Sequence, residues 1–250
     1  MKRDKRIKGE DETLDTFYHG RILVLQKKKG FRFSVDAPLL ADFIQPQETD
    51  RLLEIGTGCG VISLLLSIKP FLSITALEIQ DSLADLARRN VRLNDLEARI
   101  RVVQKDVLDF SSGEKFDIVF ANPPYIKQRS GHLSPSDEKS VAKHELKCTL
   151  FDIMQRTGEL LKNEGKAYFI YPAKRRMEFM QAVKENALRI CALRQVFPYE
   201  QGESNLFLAC LDFHTDKERQ LAPLILFDSK GKYSEEAQQI FAGRSYATTV

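Results

Sequence analysis

The chain has 250 residues, 43% of them hydrophobic and 29% charged, with a formal net charge of +3. This composition excludes a globally disordered chain and supplies a core for one large α/β domain or two small ones. A charge of +3 names no partner, so any case for an anionic one rests on where the lysines and arginines cluster.

Residues 1–15 are basic and then acidic, without the apolar stretch of a secretory signal. They read as a mobile tail, with a single domain over 16–250. The longest apolar runs are too short to span a membrane, so the expectation is a cytoplasmic protein with no membrane partner. Cys59, Cys148, Cys191 and Cys210 contain no CxxC pair, and the four histidines show no ligand spacing. Four reduced thiols and no metal are expected.

Residues 21–34 read as a hairpin. The apolar run Ile22–Leu25 leads to a turn at Lys27-Lys28-Lys29-Gly30, and Phe31-Arg32-Phe33 returns. Asp36 is a candidate cap for a short helix with Pro38 in its first turn and Leu39, Leu40 and Phe43 on its buried side. From residue 51 the pattern alternates. Arg51–Ile55 reads as a strand, Val61–Ser67 as a buried helix and Leu72–Leu77 as a second strand. Ser82–Asn94 is an amphipathic helix with Leu83, Leu86, Ala87 and Val91 on one face. Strands follow at Ile100–Gln104, Phe116–Phe120 and Ala167–Tyr171, with a long helix over His144–Leu161. Arg189–Phe197 and Asn205–Phe213 form an antiparallel pair closing the sheet, and Pro223–Phe241 holds one more strand and a short helix. Such alternation implies βαβ units and a parallel sheet. Residues 126–141 stand out as a long loop, of the kind that carries function or disorder.

Three motifs lie at strand ends. The first is Glu54-Ile55-Gly56-Thr57-Gly58-Cys59-Gly60, between a strand and a helix. Its glycines allow a sharp turn and let a ligand lie against the backbone, and the helix behind it presents free N–H groups. Val61 stands where a dinucleotide fingerprint needs glycine, which weakens a pyrophosphate reading. A tight turn without a ligand is the plainer alternative. Second, Glu78 ends the next strand, where a carboxylate can accept both hydroxyls of a ribose. Asp106 follows the third strand, placed to accept from an adenine amino group or to serve as a turn residue. The third motif is Asn122-Pro123-Pro124-Tyr125. Its two prolines fix the backbone and remove two N–H donors. The Asn122 side-chain oxygen and the Pro123 carbonyl can then accept both hydrogens of one planar NH₂ group, while Tyr125 offers a face for a flat substrate. A rigid polar turn with an aromatic plug is the alternative.

Taken in order, Glu54–Gly60, Glu78, Asp106 and Asn122–Tyr125 resemble the motifs of class I S-adenosylmethionine-dependent methyltransferases of the NPPY group. The resemblance implies an α/β, Rossmann-like, seven-stranded, mostly parallel sheet with helices on both faces, carrying here a short N-terminal hairpin. It implies that Gly56, Gly58 and Gly60 approach the methionine part of S-adenosylmethionine, that Glu78 holds the ribose and that Asp106 reads the adenine, with Glu54 and Asn122 also counted in the cofactor site. A narrower likeness covers most of the chain. Gln26–Asp36, Ala142-Lys143-His144-Glu145 and Ala222–Ser234 resemble the bacterial tRNA adenine methyltransferases that act next to the anticodon of a valine tRNA. The implied reaction is an in-line methyl transfer to the 6-amino group of adenine. It works by positioning rather than by a general base, and the base leaves its stack to react. Ile126 departs from that family, where an aromatic residue is commoner. NPPY followed by Ile is typical of glutamine methyltransferases that act on peptide release factors. Those enzymes usually carry a separate helical domain before the glycine turn, whereas residues 1–50 read only as a tail, a hairpin and a short helix. Basic clusters at Lys27–Lys29 with Arg32, at Lys127 with Arg129, and at Lys174-Arg175-Arg176 favour tRNA as partner, though such clusters are also ordinary solvated surface. A non-catalytic binding module that keeps the fold is a third reading, disfavoured by the intact NPPY. His144 beside Glu145 reads as the start of a helix. A monomer is the default.

Overall fold

Strands buried on both faces need near-continuous apolar runs, and parallel ones need crossover connections, usually helices. The computed structural model describes residues 8–29, 34–123 and 148–244; in it helices join β3 to β4 and β4 to β5, while a turn-rich stretch without a helix joins β5 to β6. The chain begins with a hairpin of β1 (Glu12–Phe17) and β2 (Ile22–Lys27), then α1 (Asp36–Phe43). The sheet-forming part follows as β3 (Arg51–Ile55), α2 (Val61–Leu66), β4 (Ser73–Glu78), α3 (Asp81–Leu93), β5 (Ile100–Gln104) and β6 (Phe116–Ala121). After these come α4 (Leu150–Leu160), β7 (Leu161–Pro172), α5 (Arg176–Glu185), β8 (Arg189–Phe197) and β9 (Leu206–Asp212). The described chain ends with β10 (Arg219–Gln220), β11 (Leu224–Ile225) and α6 (Glu235–Phe241).

The main sheet runs β10-β8-β9-β7-β6-β3-β4-β5, and β11 also pairs with β8. From β5 to β7 every pair is parallel, while β9 runs antiparallel between β7 and β8. The α/β architecture is as expected, but the sheet has nine strands rather than seven. The two extra strands are two-residue pieces laid along β8, whose outer edge would otherwise leave its backbone groups unpaired. Helices cover both faces. The hairpin, α1, α2, α3 and α6 bury Leu25, Leu40, Leu64, Leu86 and Ile240 on one side. On the other, α4 and α5 bury Met154, Leu160 and Phe179. No helix among the described residues is long and apolar enough to cross a membrane.

Three local departures have physical causes. β2 pairs backward with β1, not forward across Lys27–Gly30, so a strand begins at Glu12, inside the expected tail. Its four-residue loop, between paired Phe17 and Ile22, has positive φ at Tyr18, His19 and Gly20, and carries no Asn-Gly signal. Asp36 is the first helical residue of α1 rather than its cap, and no side chain caps that helix. The helix expected from His144 is described only from Leu150, where Thr149 and Asp152 form a capping box that sets its start.

Candidate active site

The strand order reverses at β3, with β4 and β5 on one side and β6 and β7 on the other. Ligands of open parallel sheets bind outside the carboxyl ends of the strands at such a switch point. Ile55 is in register with Leu77 of β4 and with Ala121 of β6. The next residue of each strand is Gly56, Glu78 or Asn122, so the three motifs leave neighbouring strands at one level, about 4.8 Å apart per strand.

The glycine turn is built for close approach. Gly56, Gly58 and Gly60 have φ of 73°, 58° and 85°, a region that favours glycine. A Cβ on Gly56 would meet no atom within 4 Å, so this backbone borders open space. Gly60 has a packing role as well, because a Cβ there would stand 3.4 Å from the Cβ of Ala87 on α3. Thr57 N–H donates to the Leu77 carbonyl at 2.8 Å, which ties the turn to β4.

Glu54 is only 1% exposed. Its Oε2 accepts from Thr57 Oγ1 at 2.6 Å and from Ser63 Oγ, so its carboxyl braces the turn from behind. Burial pushes that carboxyl up to about 7, against the pull of the two hydroxyl donors. Glu78, also buried, accepts Gly58 N–H on Oε2 at 2.8 Å and Gln80 N–H on Oε1 at 2.9 Å. These bonds fix its orientation, and a carboxylate has about four acceptor sites in all. Asp106 is half-buried, and its Oδ1 accepts from Leu108 N–H at 3.0 Å, so the turn role is realised in the structure. Lys105 N–H donates to the Glu78 carbonyl at 3.0 Å, which brings that turn to the end of β4.

Asn122 follows β6, and its Oδ1 is buried with no hydrogen-bond partner among the described residues. Such an oxygen costs about 1–3 kcal/mol if left alone, so it is a site where a donor is needed. Pro123 beside it is buried. Pro124, Tyr125, Ile126, Lys127, Arg129, the expected loop over 126–141, the stretch 142–145 and Arg32 lie outside the described residues.

The basic clusters divide. Lys27 is paired with Asp11 at 2.9 Å, whereas Lys28 and Lys29 are exposed. Lys174 is exposed at the carboxyl end of β7. Arg175 bonds Glu178 at 2.6 and 2.8 Å, and Arg176 lies 3.8 Å from Glu218.

Sequence reasoning missed the residues that join the hairpin to this site. Asn90 of α3 is fully buried. Its Nδ2 donates to the carbonyls of Leu25 (2.9 Å) and Cys59 (2.8 Å), and its Oδ1 accepts Leu25 N–H at 2.7 Å. Asn94 repeats the pattern on Leu23, one helical turn on. The available signal was two asparagines four apart, in line with the apolar stripe of Ala87 and Val91. Elsewhere, a cavity of about 1380 Å³ opens beside α5, lined by Met177, Met180 and Phe213 among others. It contains none of the motif residues, so the chemistry is assigned to the switch-point crevice.

Comparison with known proteins agrees with this geometry. The family described as the methyltransferase small domain matches residues 32–187. A tRNA1(Val) (adenine(37)-N6)-methyltransferase of Bacteroides thetaiotaomicron is 28% identical over 229 residues, covering 90% of this chain and 94% of the relative. Its counterpart in Vibrio campbellii is 27% identical over 217 residues, covering 85% and 88%. Among solved structures, a predicted O-methyltransferase from Agrobacterium tumefaciens aligns with a TM-score of 0.66 at 21% identity, covering 86% of this chain and 100% of that one. M. jannaschii TYW2 in complex with AdoMet aligns at 0.55 and 17% identity, covering 82% and 87%. At these identities the structural likeness speaks for the fold alone.

Proposed function

The chain belongs to the methyltransferase small domain family, and from that premise we propose that it methylates the 6-amino group of an adenine in tRNA, with S-adenosylmethionine as donor. The observation that carries this reading is the buried Oδ1 of Asn122, without a hydrogen-bond partner among the described residues and level with an open glycine turn. The relatives that act on tRNA adenine, similar over most of this chain, support the choice of substrate.

The residues present fit the donor. The empty space over Gly56 leaves room for its methionine part along Gly56, Gly58 and Gly60. Glu78, held by two backbone N–H groups, turns its carboxylate to the ribose hydroxyls. Asp106 keeps Oδ1 in its own turn, which leaves Oδ2 for the adenine amino group. S-adenosylmethionine supplies a methyl group activated by its sulfonium.

The acceptor is held by Asn122 Oδ1 and the Pro123 carbonyl, which take one hydrogen each from the NH₂ group. Two acceptors orient the nitrogen and raise its electron density. Pro124 stiffens the strand end, and Tyr125 supplies a ring for the flipped base. Positioning of this kind stands in for a general base. The reading needs no metal and no second subunit, and it places the protein in the cytoplasm with its tRNA. In this reading hairpin and sheet act as one domain.

The test uses labelled S-adenosylmethionine with unmodified tRNA and with a peptide release factor, in separate reactions. Label in tRNA that digests to N6-methyladenosine is the expected result. Label in the release factor with none in tRNA would overturn it in favour of glutamine methylation.

A further inference from the structure

The stretch Ala222–Ser234 has so far no part in the chemistry. In the fold it backs an exposed ring on the same edge of the sheet as Asn122. β8 runs in the same direction as β6, so the β8–β9 connection, residues 198–205, leaves the sheet at its carboxyl edge. Asn205 N–H closes this loop on the Val196 carbonyl at 3.0 Å, and its own carbonyl accepts Ala173 N–H at 2.9 Å. The loop is thereby fastened to the turn that carries Lys174. Three strand spacings separate β8 from β6, roughly 14 Å, within the span of an RNA loop.

Tyr199 stands in this loop at the end of an aromatic row. Its ring is 5.6 Å from Phe227 at 33°, Phe227 is stacked on Tyr233 at 4.9 Å and 21°, and Phe241 meets Tyr233 edge-on at 4.8 Å. Phe227 N–H donates to the Pro198 carbonyl at 2.8 Å, which fixes the row to the loop. Phe227 and Tyr233 are each flanked by two rings. Among the described residues Tyr199 has one such neighbour, and it is 48% exposed. Behind it, Asp228 Oδ1 accepts from Lys230 and Lys232 N–H at 2.8 and 2.9 Å, and both lysine side chains stand exposed on that turn.

We propose that Tyr199 is a stacking platform for an unpaired base of the RNA substrate, on the rim that runs from Asn122 past Lys174. The assignment rests on the tRNA reading above. A ring that neighbouring rings hold in place loses little entropy when a base lies on it, and every base has a face to offer. Glu200 and Glu203 in the same loop repel phosphate, so this ring takes a base, and the backbone charge is left to Lys174, Lys230 and Lys232.

Binding of unmodified tRNA, measured against salt concentration, separates the possibilities. Tyr199→Leu keeps an apolar contact with Phe227 but has no π-face. It should weaken binding by about tenfold, within the range for one stacked base, with an unchanged log–log salt slope and unchanged affinity for S-adenosylmethionine. Tyr199→Phe should restore binding. Wild-type affinity in Tyr199→Leu overturns the platform. A shallower salt slope does so too, because it marks a lost phosphate contact. Failure of the tRNA reading looks different, because the unaltered chain would then neither bind nor label tRNA.

Discussion

Asn122 is the proposed acceptor-holding residue, and its side-chain oxygen is buried with no partner among the described residues. If it orients the amine, Asn122→Ala should lower single-turnover methylation on the order of 100-fold, the scale of one positioned hydrogen bond. Affinity for S-adenosylmethionine should change far less; a near-normal single-turnover rate would sink the role. Glu78 works on the other side of the same crevice. If Glu78 holds the ribose as proposed, Glu78→Ala removes that contact and also frees Gly58 N–H. Calorimetry should show S-adenosylmethionine weakened by about 2–3 kcal/mol, as for lost charge-assisted hydrogen bonds; unchanged affinity would count against it. Glu54 contributes a pH signature instead of a contact. Its carboxyl titrates at about 7 in the fold against 4.5 for a free one. Between those values the unfolded chain loses this proton before the folded chain does. Stability from this group therefore falls as pH rises from about 4.5 through about 7 and then levels off. Urea midpoints at about pH 5 and pH 8 should differ less in Glu54→Gln than in the unaltered protein. Equal differences in both would remove Glu54 as the source.

At the scale of elements, the hairpin is held to α3 by polar groups that are themselves buried. Glu12 is 1% exposed and bonds Arg89 at 2.8 and 2.6 Å. The guanidinium holds its carboxyl down to about 2, so this stabilisation is complete above about 4.5 and disappears as pH falls through about 2. Glu12→Ala should cost about 2–3 kcal/mol, since it removes both short charge-assisted bonds to Arg89, whose contact with Asp85 is longer at 3.8 Å. Hydrogen exchange should show the loss first in the β1–β2 amides; a uniform loss across the sheet would contradict a local role. The same pair explains what the sequence could not reveal. β3, β4 and β6 were legible because strands buried on both faces read as apolar runs, and β5, at the sheet edge, was legible as a short run around Val102 and Val103. β1, with the sequence ETLDTF, is polar by composition; it pairs with β2, and its buried Glu12 is matched by Arg89, far away in the chain. β10 and β11 are too short to show any period. The site followed the same division. Gly56, Glu78 and Asn122 were visible as residues at strand ends. The bracing by Glu54 and the bridge by Asn90 were not, because their meaning depends on tertiary partners.

For the whole molecule, the hairpin and the crevice meet at one rim. Asn90 bonds both Leu25 of β2 and Cys59 of the glycine turn, so the end of β2 lies beside that turn. Lys28 and Lys29 follow directly after β2 and are exposed, while Lys27 is engaged with Asp11 and lies 3.5 Å from Glu12. The phosphate contacts expected of this cluster therefore fall to Lys28 and Lys29. Each phosphate that a lysine neutralises releases counterions, which steepens the log–log dependence of binding on salt by about 0.7–0.9 per contact. Replacing Lys28 and Lys29 by alanine should flatten that slope by up to about 1.8 and raise the Michaelis constant for tRNA. Replacing Lys27 should do less to the slope and more to stability, since its charge is committed within the hairpin. The Michaelis constant for S-adenosylmethionine should hold in the double variant, because these side chains stand on the rim and not in the turn. Titration of tRNA over a range of salt with the three proteins checks all of this. A double variant with an unaltered slope would remove the hairpin from the RNA path, and Lys174, Lys230 and Lys232 would be left to carry the backbone.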